Sequence, residues 1–111
     1  MLVNSPALLL GSFQWQTTFI NVVLNTTTPF LESDPNRVAI CCYPVIGQTY
    51  TVGPTSMINQ TNGIIVTQQG FTLPFRYQDY GPFINQQWFA CGVTGSFAAL
   101  VSILSYTPRV N

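Results

Sequence analysis

The sequence has no histidine and no lysine, and only six of its 111 residues are charged: Glu32, Asp34, Arg37, Arg76, Asp79 and Arg109. Without an imidazole, no serine or cysteine has its usual base, which excludes a Ser-His-Asp triad or a Cys-His dyad. Three carboxylates could supply a glycosidase pair only from Glu32, Asp34 and Asp79. Glu32 and Asp34 flank a turn, where Asp34 reads as an Asx-turn residue instead. Cysteine is also scarce. Cys41, Cys42 and Cys91 make an odd, scattered set with neither a disulfide framework nor metal-ligand spacing. Adjacent strand residues point to opposite faces, so Cys41 and Cys42 do not bridge, and all three read as buried free thiols. No Gly-rich loop opens a helix, so phosphate binding has no motif. These absences lead us to expect no enzyme, no cofactor and no metal.

Charged residues make up 5% of the chain, where about 25% is usual. Zero net charge creates no field to draw in nucleic acid or an anionic membrane, and neither is expected as a partner. The segment Met1 to Ser12 has no basic n-region, and its apolar run, Ala7 to Leu10, is too short for a signal h-region or a membrane span. Synthesis in the cytoplasm without secretory export is therefore expected.

What is abundant is apolar and β-forming: 47% hydrophobic residues and 14% aromatics argue against disorder. The organising stretch is Asp34-Pro35-Asn36-Arg37 followed by Val38 to Tyr43. A turn opens it, and the apolar run reads as a strand buried on both faces. Residues 1–12 read as an arm with an apolar plug, and residues 13–111 as one domain. Phe13 to Leu24 reads as a strand whose apolar side exchanges midway, as a bulge or a break near Thr18 would allow. Thr49 to Val52 is a further strand. Ile64 to Gln68 and Phe71 to Arg76 read as a hairpin with an edge strand, because Pro74 cannot donate to a ladder. Gln86 to Cys91 and Phe97 to Tyr106 read as strands joined by a hairpin turn at Val93 to Ser96. No 3.6-residue apolar stripe is evident. Six to eight short strands at regular spacing specify an all-β chain, a single antiparallel sandwich of jelly-roll or immunoglobulin-like type.

Few residues suggest a site. Arg37, at the mouth of a doubly apolar strand, needs a carboxylate or strand-end carbonyls, so Asp34, Arg37 and Asp79 are expected to form a structural clasp. Trp15 and Trp88, with Leu8, Leu9 and Leu10 of the arm, are candidate interface anchors, since aromatics in a small β domain serve as core or contact residues. So little charge fits a surface docked in an assembly better than a free monomer.

The Thr-rich segment Asn25 to Thr28, the Asp34-Pro35-Asn36-Arg37 turn opening Val38-Ala39-Ile40, the strand Gly63 to Val66, the run Gln87 to Ala90 and the apolar strand Phe97 to Tyr106 together resemble small β-rich structural proteins of tailed bacteriophages. The resemblance covers roughly residues 20–106 and rests on packing and turn residues. It implies a virion component, foremost a capsid decoration (cement) protein, assembled in the host cytoplasm and docked on the major capsid protein or another virion protein. Cyclic homotrimers suit three-fold lattice positions. The alternative is a receptor- or carbohydrate-binding module of a tail fibre or baseplate.

Overall fold

Strand-forming runs separated by turn residues fold, among the described residues, into eight strands in two antiparallel four-stranded sheets, an all-β sandwich. The computed structural model describes residues 11–67 and 74–108. The strands are β1 (Gly11–Val22), β2 (Thr27–Leu31), β3 (Arg37–Cys42), β4 (Thr49–Gly53), β5 (Ile64–Thr67), β6 (Phe75–Arg76), β7 (Trp88–Gly92) and β8 (Phe97–Pro108). One sheet has the order β1-β8-β3-β6 and the other β2-β7-β4-β5. Among the described residues, a short helical turn, α1 (Tyr77–Tyr80), runs into a 3-10 turn at Gly81–Asn85. Pro82 at its start suits a position whose missing N–H costs nothing.

Successive strands mostly change sheet; β4 and β5 are consecutive strands that pair with each other. Two sequence expectations fail for this reason. β5 and β6 are not a hairpin: β5 joins β4 in the second sheet, while β6 joins β3 in the first. β7 and β8 are not one either, for the Val93 to Ser96 turn carries the chain from one sheet to the other. A short turn between two apolar runs has the same local signature in both cases.

The core lies between the sheets and includes Ile20, Val22, Ile40, Cys42, Tyr50, Val52, Trp88 and Val101. Sheet alternation accounts for it: Ile20 and Val22 of β1, Ile40 and Cys42 of β3, and Ala99 and Val101 of β8 all point inward. Trp88 is fully buried. Its ring stacks on Phe75 at 5.4 Å and 15°, and its indole N–H donates to the Phe83 carbonyl at 2.9 Å. It is thus a core pillar joining β7 to β6 and the 3-10 turn, not the surface anchor expected. Gly11 and Ser12, expected in the arm, belong to β1. Leu8, Leu9 and Leu10 lie outside the described residues.

Two buried groups fix how stability depends on pH. Burial, and secondarily the neighbouring Cys41, pushes the Cys42 thiol well above its ordinary range. Burial, then the Cys42 and Cys41 thiolates, does the same for the Tyr50 phenol. Both groups hold their protons more tightly folded than unfolded. Their contribution is complete below the unfolded values of about 8.5 and about 10, and is lost at up to about 1.4 kcal/mol per pH unit each as pH rises further. The urea midpoint is therefore expected to fall above about pH 9, with a later onset in Cys42→Ala. A midpoint constant to about pH 11 contradicts this.

Candidate functional site

The two outer faces of the sandwich are treated differently. On the second sheet, the loop from Pro54 to Gly63 folds over the strands. Ile58 is buried, and the Thr27 and Thr51 hydroxyls donate to the carbonyls of Ile58 at 2.6 Å and Asn59 at 2.8 Å. The approach is close enough that a Cβ at Gly53 would meet Ile58 Cγ2 at 2.7 Å. The outer face of the first sheet has no such cover among the described residues.

That face is built from alternation along three strands. The register of β1 with β8 runs unbroken from Gly11↔Pro108 to Val22↔Phe97, so neither the bulge nor the break expected near Thr18 is present. The polarity change has another cause. With Ile20 and Val22 in the core, Phe13, Trp15, Thr17 and Phe19 necessarily point outward. Their β8 neighbours Tyr106, Leu104, Ser102 and Leu100 share that side, as do Ala39 and Cys41 of β3. Phe13, Trp15 and Phe19 are 52%, 51% and 70% exposed. Three open grooves follow one another along the face. One of about 400 Å³ lies among Phe13, Ala39, Arg76 and Leu104; one of about 410 Å³ among Trp15, Cys41, Tyr43 and Ser102; one of about 610 Å³ among Phe19, Tyr43, Val45 and Leu100. In the middle, Thr17 and Ser102 hydroxyls bond at 2.7 Å and Ser102 donates to the Tyr43 hydroxyl at 3.2 Å. The polar atoms of the face thus largely satisfy one another.

No charged side chain among the described residues sits on the β1-β8-β3 part of this face. Arg76 and Asp79 lie at its β6 border and pair with each other at 3.2 Å. Exposed apolar area that is contiguous and free of charge marks a contact surface more often than a solvent face.

The expected clasp is only partly assembled. Asp34 makes the Asx turn, its carboxylate accepting the Asn36 N–H at 2.9 Å. Arg37 is 2% exposed and donates from Nε to the Ile84 carbonyl at 2.9 Å, from Nη1 to that of Glu32 at 2.9 Å, and from Nη2 to that of Gln86. Asp79 is not part of it, being engaged with Arg76. The register shift between Arg37 and Ala39 explains the geometry. One extra residue turns Arg37 to the inner side of the sheet, opposite to Ala39, where it reaches the 3-10 turn. Asn85 completes the joint, its side-chain amide donating to the carbonyls of Asp34 at 2.9 Å and Arg37 at 2.8 Å. Burial lowers the Arg37 pKa, and the Asp34 charge works against that. The site is structural: it fastens the β2–β3 turn to the 3-10 turn.

Among the described residues, no three His, Cys, Asp or Glu side chains gather as a metal site, and no helix is long and apolar enough to cross a membrane. Cys91 and Cys42 are buried, whereas Cys41 is only half-buried and lines the middle groove. A thiol reagent is therefore expected to modify Cys41 alone in the folded protein and all three cysteines in denaturant. Equal rates for all three before unfolding contradict the placement.

Of the sequence-derived candidates, Trp15 lies on the outer face and Trp88 in the core. Phe13, Phe19, Tyr43, Cys41, Leu100 and Leu104 were not among the candidates. Their signal was in the alternation of β1, where Phe13, Trp15 and Phe19 fall on the side opposite Ile20 and Val22. Comparison of the chain with models of protein families, with curated proteins and with solved structures finds no match.

Proposed function

We propose that this protein is a non-enzymatic structural component that docks the outer face of its first sheet onto a protein surface in a larger assembly. The single observation that carries this reading is the run of exposed Phe13, Trp15 and Phe19 beside Tyr43, Leu100 and Leu104, on a face that among the described residues has no loop cover and no charge on its β1-β8-β3 part. The occupant is a protein surface of matching character, apolar and uncharged, because the face offers neither a charge for steering nor a free fork of donors for a specific polar ligand. The resemblance to phage structural proteins supplies the setting: a capsid decoration protein on the major capsid protein or another virion protein. Affinity then rests on apolar contact and responds weakly to ionic strength.

A tail-fibre module that stacks sugars on Trp15 and Tyr43 is the second reading, favoured by the aromatic and hydroxyl composition of the middle groove. The hydroxyls of Thr17 and Ser102 are spent on each other, which leaves few polar groups to orient a sugar, so protein docking is preferred.

The test is the copy number of the chain in purified particles, measured by quantitative mass spectrometry for the natural sequence and for the double variant Trp15→Ser, Phe19→Ser. Both side chains are half or more exposed, so the variant should fold. Stoichiometric incorporation of the natural chain and at least a tenfold drop for the variant is the expected result. Equal incorporation of both, or absence of the natural chain from particles combined with glycan binding, overturns it.

A further inference from the structure

The four sheet edges are not equally protected. β6 is two residues long and carries the Arg76–Asp79 ion pair. β2 contains Pro29 and a register shift, and β5 has four residues. Short length, proline, irregularity and charge are the usual devices that stop an edge from pairing with another chain. β1 has none of them. It is twelve residues long, contains no proline and no charged residue, and holds an unbroken register with β8 on its one paired side. Among the described residues, no strand pairs with its other side.

The same strand overruns the second sheet. Every described side chain from Ser12 to Phe19 is exposed, on both faces, while Ile20 and Val22 are buried.

We propose that the free edge of β1 pairs antiparallel with β1 of a second copy of this chain, joining two four-stranded sheets into one of eight. Antiparallel pairs have local two-fold axes normal to the sheet, so a strand can pair with its own copy, and both outer faces then lie on one side. Self-pairing places no like charges opposite each other, since β1 has none. It is isologous and uses up both long edges, so it closes at two copies. Head-to-tail pairing of β1 with β6 would propagate, but β6 offers only two residues. The inference stands on the edge and is independent of what the outer face docks on.

Light scattering of the full chain over a dilution series should give twice the 12.3 kDa protomer mass. The double variant Gln14→Lys, Gln16→Lys sets lysines against lysines on the side of β1 opposite to Trp15. It should run at the protomer mass with an unchanged circular dichroism spectrum. Single cysteines at Gln14, Gln16 and Thr18 should yield an oxidative cross-link to the same residue of the second copy at the position nearest the two-fold axis, while Thr61→Cys on the far loop should not. A natural chain that is monomeric or trimeric, or a dimer that survives both lysines, overturns the proposal. So does a monomer whose β1 amides resist hydrogen exchange, which places a segment of the same chain on the edge. The lysines leave the outer face intact. Loss of the dimer with full incorporation into particles therefore separates this inference from the docking one.

Discussion

Trp88→Ala is expected to destabilise the fold by about 3–5 kcal/mol, the range for removing a large aromatic from a packed core. The indole is fully buried, stacks on Phe75 at 5.4 Å and stands edge-on to Tyr80 at 6.5 Å. It links strand β7 of one sheet to β6 of the other. Truncation leaves a cavity at that joint and removes the indole N–H, which donates to the Phe83 carbonyl at 2.9 Å; that carbonyl keeps the Gln86 N–H at 3.2 Å. Trp88→Phe keeps most of the stacking and loses the hydrogen bond, so about 1–2 kcal/mol is expected for it. Urea unfolding of the two variants measures both. Near-natural stability of Trp88→Ala would remove the pillar role and restore the residue as a surface anchor.

Arg37→Ala is expected to cost on the order of 3 kcal/mol. The guanidinium is 2% exposed and serves three backbone carbonyls, those of Glu32, Ile84 and Gln86. The Ile84 acceptor is buried and stays so when its donor is removed, which makes the loss larger than the net value of an ordinary hydrogen bond. Lysine restores the charge without the planar fork, so Arg37→Lys should recover less than half of the loss. The same urea measurement applies. Equal stability of the lysine variant and the natural chain would mean that charge near Asp34, and not the fork, holds the turn.

Fold class was legible because β3, β7 and β8 are apolar runs, and β4 an alternating one, between turn residues, and that pattern is local. Sheet membership was not, since two runs joined by a short turn look alike whether they pair or cross between sheets; β5 with β6 and β7 with β8 are such cases. The Arg37 joint was half legible. A buried guanidinium must find acceptors, but the bulge that aims it at the 3-10 turn depends on register with β8 and leaves no mark in the residues. The docking face was obscured by a sound habit of reading, which assigns apolar residues to the interior. Phe13, Trp15 and Phe19 alternate as a core strand would, and only Ile20 and Val22, buried on the opposite side, reveal that they face out. Trp15 and Trp88 are the same residue type in similar surroundings, so nothing local separates the anchor from the pillar.

The central claim is that the outer face of the first sheet is covered in the working assembly. Hydroxyl-radical footprinting of the chain, free and in purified particles, tests it most directly. Met57, 77% exposed on the loop over the opposite sheet, serves as the internal reference. Labelling of Phe13, Trp15, Phe19 and Tyr43 should fall by about tenfold or more on assembly relative to Met57, as expected for side chains at the dry centre of an interface. Equal labelling of these four residues in the free and assembled protein contradicts it.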